Sequence, residues 1–275
     1  MFVCNLVNIS SGSKLRIDLL VCLPIQVIIK PLATIPKASG QSENFLSQSA
    51  PTLDVLCGNE LRETNSTMNS ATIVQKPTDS IEQLVLFFHG VGSNAQDMVP
   101  VAQQFAQVLK RAMVVSVNGA QPSDFGGDGR QWFSVAGVTE ANRAGRVAAV
   151  MPLFQSTVQH WQEVAGIGVD RTILVGFSQG SIMALESTQL QPTLAGRVIA
   201  FSGRFALEPK VAPTATVINL IHGADDAVID AEQSLVAARQ LKALGATVSV
   251  DIVPDMTHGI DGRMVSLALT KISGR

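Results

Sequence analysis

The sequence predicts an α/β chain, with a mostly parallel central sheet and helices on both of its faces, and three observations carry that prediction. From Leu84 onward, short continuous apolar runs recur that suit strands and are too brief for helices. Between them lie stretches whose apolar residues return at steps of three and four, the period of a helix with one buried face. The two signals alternate along the chain, which is how parallel strands joined by crossover helices read.

Taken in order, Leu84 to Phe88 is continuously apolar and ends in His89-Gly90, as expected of a strand buried on both faces. Met98, Val101, Phe105 and Val108 fall at helical spacing, and Ala112 to Val117 reads as the next strand. Val147, Met151, Phe154, Val158 and Trp161 form a second helical stripe. Thr172 to Val175, Arg197 to Phe201, Thr216 to Ile221 and Thr247 to Val253 supply further strands, and Leu235, Ala238, Leu241 and Leu244 mark a helix closed by Gly245. In such sheets reactive groups gather beyond the carboxyl ends of the strands. The loops that follow the strands are therefore where chemistry is sought.

At 275 residues and 46% hydrophobic, the chain can bury one large core. Charged residues are 15% of it and nearly cancel to a net of -2, with no Lys and Arg cluster to track a phosphate backbone, so nucleic acid is not an expected partner. Cys4, Cys22 and Cys57 all precede residue 60, which excludes a thiol nucleophile or a cysteine-ligated metal from the rest of the chain. Their odd number and irregular spacing form no disulfide framework and suit a reducing compartment.

Residues 1–67 keep neither a helical nor a strand period for long. The apolar stretch from Leu19 to Ile29 is interrupted by Pro24 and Gln26 and falls short of the roughly 20 residues a spanning helix needs, so no stable membrane anchor is expected. Lys14 and Arg16 precede it, but no clean small-residue cleavage site follows, which argues against a secretory signal. The span from Ser39 to Ser70 is rich in Ser, Gln and Asn, as linkers are. The expectation is a disordered or misassigned extension over 1–67, with Met68 as the start of a folded domain over 68–275.

Gly176-Phe177-Ser178-Gln179-Gly180 matches the G-x-S-x-G nucleophile elbow and sits where that motif must sit, between a strand and a helical stretch. A serine on so sharp a turn has a strained backbone, and side chains two residues to either side would collide, so both flanks must be small. Ser181 lies inside the helix and is a poor rival. The motif in this setting specifies the α/β-hydrolase fold, with Ser178 as candidate nucleophile.

A hydroxyl is a feeble nucleophile until a base takes its proton, and the base must be oriented by an acid. The fold orders these as Ser, then Asp or Glu, then His. Of the four histidines, His160 lies in a helical stretch beside Trp161, His89 comes before the nucleophile, and His222 precedes the best acids. His258 remains, in the loop Asp255-Met256-Thr257-His258-Gly259 after the last strand, where the base belongs. The acid should follow the strand Thr216 to Ile221, which leaves Asp225 and Asp226, neighbours that spacing cannot separate. For the oxyanion, one backbone donor is expected at Gln179, and the other in the loop His89-Gly90-Val91-Gly92.

With these segments in view the chain resembles the phospholipase/carboxylesterase family, which includes the acyl-protein thioesterases. The likeness is nearest to a bacterial esterase subgroup, through Phe88-His89-Gly90-Val91-Gly92, Gly129-Arg130-Gln131-Trp132-Phe133-Ser134, Gly176 to Gly180 and Leu220-Ile221-His222-Gly223, and it covers roughly Ala71 to the C-terminus. The resemblance implies Asp226 rather than Asp225 as the acid and Val91 as the second oxyanion donor. It also implies a cytoplasmic carboxylesterase that uses neither metal nor cofactor. The loop carrying Trp132 would border the acyl pocket, with Trp132 as a candidate substrate-binding residue, unless Trp132 and Phe133 are simply core aromatics. Ser93, where the family commonly has Asp, and Ala227, where Pro often follows the acid, are departures that bear on loop geometry and substrate preference.

The expected activity is hydrolysis of short to medium acyl esters through an acyl-enzyme on Ser178. A same-fold alternative is an acyl-protein thioesterase or lysophospholipase. An alternative of another class is a hydrolase-fold binding protein that has lost catalysis, which usually lacks a triad member, whereas here a serine, an acid and a histidine are all present. The sequence sets neither the natural substrate nor the oligomeric state.

Overall fold

The computed structural model describes residues 70–274 and two short strands upstream, β1 (Asn5–Asn8) and β2 (Asp18–Val21). The chain divides into two units, residues 1–51 and 52–275. In the first, β1 and β2 pair antiparallel. The expected extension over 1–67 otherwise lies outside the described residues.

In the second unit the elements run β3 (Ala71–Gln75), β4 (Gln83–Phe88), α1 (Val99–Val108), β5 (Ala112–Val117), a small hairpin of β6 (Gln121–Pro122) and β7 (Arg130–Gln131), and α2 (Glu140–Ala165). They continue with β8 (Thr172–Phe177), α3 (Gln179–Ser187), β9 (Arg197–Phe201), β10 (Val217–Gly223), α4 (Glu232–Ala243), β11 (Val248–Val253) and α5 (Gly262–Ser273). One seven-stranded sheet takes the order β11-β10-β9-β8-β4-β5-β3, parallel throughout except for β3, which is antiparallel to β5. This is the α/β-hydrolase arrangement expected above.

Alternation along each strand divides the apolar residues between two cores. Leu84, Leu86 and Phe88 of β4 belong to one core with Val147, Met151, Phe154 and Val158 of α2, and that core continues to Ala237, Ala238 and Leu241 of α4. Val85 and Phe87 face the other way, into a core shared with Ala102 and Phe105 of α1 that continues to Met264, Val265 and Ala268 of α5. Side chains this size contribute about 1.5–3 kcal/mol each when fully buried, so the central strands are held from both sides.

The strands expected from apolar runs all form, within a residue or two of the expected limits. Two helical stripes end sooner than their spacing suggested: Val108 at the end of α1 is 47% exposed and Leu244 beyond α4 is 39% exposed, because the chain turns away from the sheet there. The strand β3 was not anticipated. It is an edge strand with no fully buried residue, and Ile73 is half exposed, so it lacks the apolar signature of its neighbours. Among the described residues no helix is long and apolar enough to cross a membrane.

Candidate active site

Because six strands are parallel, the loops after β4, β8, β10 and β11 all emerge at one end of the sheet. The adjacency of β8 and β4 sets the turn after Phe177 beside the turn after His89, and that of β10 and β11 brings the acid and base loops together. Those two loops are tied directly, Asp225 N–H donating to Met256 O at 2.9 Å and Ala224 N–H to Val253 O at 2.8 Å.

Ser178 sits at the turn between β8 and α3 with φ +52°, the left-handed region a serine enters only when its surroundings force it. Its flanking glycines account for the sharpness of the turn. A Cβ on Gly176 would come within 2.5 Å of Ser181 Cα, and one on Gly180 within 2.1 Å of Phe88 O. The elbow is thus pressed against β4, which aims the hydroxyl at the loop that follows that strand.

The structure brings the three expected side chains into one chain of contacts. Ser178 Oγ lies 2.9 Å from His258 Nε2, and His258 Nδ1 lies 2.7 Å from Asp226 Oδ2. The Asp226 carboxylate is fully buried, whereas its neighbour Asp225 is exposed, so of the two that spacing left open it is Asp226 that turns inward to His258. Oδ1 of Asp226 accepts N–H bonds from Val228 and Ile229, both at 2.9 Å. Burial pushes this carboxyl's pKa up, but the bonds from His258, Ile229 and Val228, with the charge of His258, outweigh that and hold it below the usual value.

His222 proves to be more than a strand-end residue. Fully buried, it places Nε2 3.1 Å from Asp226 Oδ2 and 2.8 Å from Ile229 O, and Nδ1 2.7 Å from Ser234 Oγ. A ring whose Nε2–H donates to these two oxygens while Nδ1 accepts from the Ser234 hydroxyl satisfies every partner. His222 and His258 thus grip the same carboxylate oxygen from two sides.

His89 performs the corresponding service at the other loop. Gly119 N–H donates to its Nε2 at 2.9 Å, which leaves the proton on Nδ1, 2.7 Å from Gly90 O. That carbonyl belongs to the Gly90–Val91 peptide, so holding it fixes the opposite direction of the Val91 N–H. The Val91 N–H has no backbone acceptor among the described residues, and Gln179 opens α3, where the first N–H groups lack helical partners. Val91, Ser178 and Gln179 line one cleft of ≈ 310 Å³. The arrangement offers two backbone donors and a helix N-terminus to a developing oxyanion.

Burial drives the His89 pKa below its ordinary 6.5, against the bond to Gly90 and the charge of Asp97, which raise it; Arg130 lowers it further. The folded state therefore favours the neutral ring, and the stability this contributes is complete above the unfolded value and is lost as pH falls below it. Between pH 7 and about pH 5 the melting temperature of the wild type is expected to fall more than that of His89→Gln, which has no proton to take up there. Thermal unfolding of both proteins across that range checks this; parallel curves would show that His89 is not a titrating support of the loop.

The loop carrying Trp132 reaches the cleft through Phe133 and Val135, whereas Trp132 itself does not line it. Its ring is buried against Phe88 and Phe154, its Nε1–H donates to His89 O at 2.9 Å, and it lines a separate space of ≈ 20 Å³, room for about one water. The next residue, Phe133, faces the cleft instead. Both are positioned by the Gln179 side chain, whose Oε1 accepts the Trp132 N–H at 2.8 Å and whose Nε2–H donates to Phe133 O at 2.7 Å. Sequence reasoning used only the backbone of Gln179, and no local signal reveals this second role. His160 lies on α2 beside Trp161, as expected, and takes no part.

The cleft has apolar walls, including Phe133, Val135 and Ile182, and a charged cluster of Glu140, Arg143 and Arg204. Arg143 Nη1 lies 2.6 Å from Glu140 Oε1, and Arg204 Nη2 lies 2.8 Å from Glu140 Oε2. Hydrogen bonds from the two guanidiniums hold the Glu140 carboxyl below its ordinary pKa of 4.5.

Comparison with known proteins agrees with this geometry. The family model described as phospholipase/carboxylesterase matches residues 69–274. Esterase YpfH of Escherichia coli is 50% identical over 197 residues, covering 72% of this chain and 84% of that one. Acyl-protein thioesterase 1 of Gibberella zeae is 30% identical over 114 residues, 38% of this chain and 48% of that one. Among solved structures, esterase PE8 superposes with a TM-score of 0.69 at 26% identity, covering 74% of this chain and 98% of that one.

Proposed function

The chain belongs to the phospholipase/carboxylesterase family, and from that premise we propose that it is a carboxylesterase that hydrolyses short to medium acyl esters on Ser178, in the cytoplasm. The observation that carries the reading is the bridging imidazole of His258, 2.9 Å from the Ser178 hydroxyl and 2.7 Å from the Asp226 carboxylate. An imidazole so held has its Nδ1 proton engaged and its Nε2 lone pair free for the serine proton.

The reaction runs in two halves. Ser178 Oγ attacks the ester carbonyl as Nε2 of His258 takes its proton, and the resulting oxyanion settles between the Val91 and Gln179 N–H groups. The imidazolium, stabilised by Asp226, passes its proton to the departing alkoxide, leaving an acyl group on Ser178. Water then enters, gives a proton to His258 as it attacks, and the acid product leaves as the proton returns to Ser178. Every proton is moved by the protein's own side chains, so the cycle requires neither metal nor cofactor.

A fluorophosphonate probe tests the reading, because it reacts only with a serine whose proton is drawn off by a base. A single adduct is expected on the peptide containing Ser178. An unlabelled protein, or an adduct on another serine, would overturn the proposal and favour a hydrolase-fold binding protein.

A further inference from the structure

The charged cluster in the cleft is unusual for a pocket that receives only aliphatic acyl chains. Two guanidiniums share one carboxylate: the Arg143 and Arg204 side chains are 17% and 20% exposed, while Glu140 between them is 70% exposed. Solvent therefore screens the anion more than the cations, and the cluster of these three residues carries one net positive charge beside apolar walls. Asp230 also lines the cleft, but among the described residues it pairs with neither arginine, and its Oδ1 accepts the Glu232 N–H at 2.8 Å.

The donor inventory points the same way. Arg204 donates from Nε to Phe205 O and from both Nη atoms to Glu140, so its fork is largely occupied. Arg143 donates only from Nη1, again to Glu140. Among the described residues its Nε and Nη2 have no acceptor. That pair of parallel N–H groups is the edge of a guanidinium that receives a carboxylate in bidentate fashion.

We infer that the cleft selects esters carrying a second, ionised carboxylate, received by Arg143, with Arg204 supplying further positive charge. This rests on the carboxylesterase reading above and narrows its substrate class to anionic esters. The apolar walls would hold the carbon chain between the scissile carbonyl and the anionic terminus. Glu140, in this reading, orients the two arginines and also competes with the substrate for them.

The experiment compares charged and neutral esters of equal length. Monomethyl esters of straight-chain dicarboxylic acids place the carboxylate on the acyl side, acetate esters of hydroxy acids place it on the alcohol side, and uncharged counterparts accompany each series. The wild-type protein is expected to show a kcat/KM about tenfold or more higher for the charged ester in one of the two series. Arg143→Met should bring that ratio toward unity, and Glu140→Gln should raise it, since a competing anion is gone. A merely structural ion-pair network predicts no such opposite response, and the Glu140→Gln arm keeps the test decisive if Arg143→Met proves unstable. Turnover of neutral esters with no preference for charged ones in either series, or a ratio unmoved by Arg143→Met or lowered by Glu140→Gln, would overturn this inference alone. Failure to hydrolyse any ester would overturn it together with the carboxylesterase reading.

Discussion

Replacing Ser178 with alanine is expected to lower kcat on p-nitrophenyl butyrate by about 10⁶, the loss seen when the nucleophile of a triad is removed and the remaining members can no longer act as a unit. The fold should survive. The hydroxyl's hydrogen-bond partner is His258 Nε2, in a ring that is partly exposed, and alanine keeps the Cβ that the elbow already accommodates. A small residual rate over water is expected from the Val91 and Gln179 donors and from the walls of the cleft. Melting temperature and kcat measured on the same preparation separate the two effects. Turnover within about tenfold of the wild type would remove Ser178 from the nucleophile's place.

Asp226→Asn is expected to cost about 10⁴ in kcat while leaving KM comparatively unchanged. The reason lies in the number of donors that converge on this carboxylate. His258 Nδ1–H and His222 Nε2–H approach Oδ2, while the Val228 and Ile229 N–H groups approach Oδ1. An amide has one acceptor oxygen for these two groups of donors. If its NH₂ faces the histidines, it repels the Nδ1 proton and forces the imidazole of His258 into the tautomer that cannot accept from Ser178. If it faces the loop, two backbone N–H groups lose their acceptor and the acid loop loosens. Either orientation also removes the charge that supports the imidazolium. A drop in kcat of less than about tenfold would mean that Asp226 neither orients nor charges the base.

The sheet was legible because its central strands are buried on both faces and are therefore continuously apolar, as in Leu84 to Phe88 and Ala112 to Val117. β3 was not, because an edge strand with a half-exposed Ile73 has no need of that composition. The elbow at Ser178 is readable from the two glycines that let its turn lie against β4, and the pairing of His258 with it from chain order. Asp225 and Asp226 were inseparable by spacing because the difference between them is one of direction, outward to solvent or inward to two histidines. Trp132 and Phe133 posed the same difficulty, and the residue that reaches the cleft is the second.

The supporting residues were hidden for another reason. Chain order gives His89 and His222 no role, yet their ring nitrogens fix a peptide plane and a carboxylate through contacts that only folding creates. The charged cluster in the cleft joins Glu140 and Arg143 on one helix to Arg204 in a loop beyond β9, and no sequence period links such positions.

The Gln179 amide holds the segment facing it solely by main-chain atoms, the N–H of one residue and the C=O of the next. Such a clasp is indifferent to what side chains that segment carries. Phe133 is 3% exposed, so an apolar side chain of similar volume can take its place while the backbone keeps its station relative to the reacting hydroxyl. Recognition and reactivity are in this way adjustable independently, and a new selectivity can be engineered into the wall without disturbing the chemistry beside it.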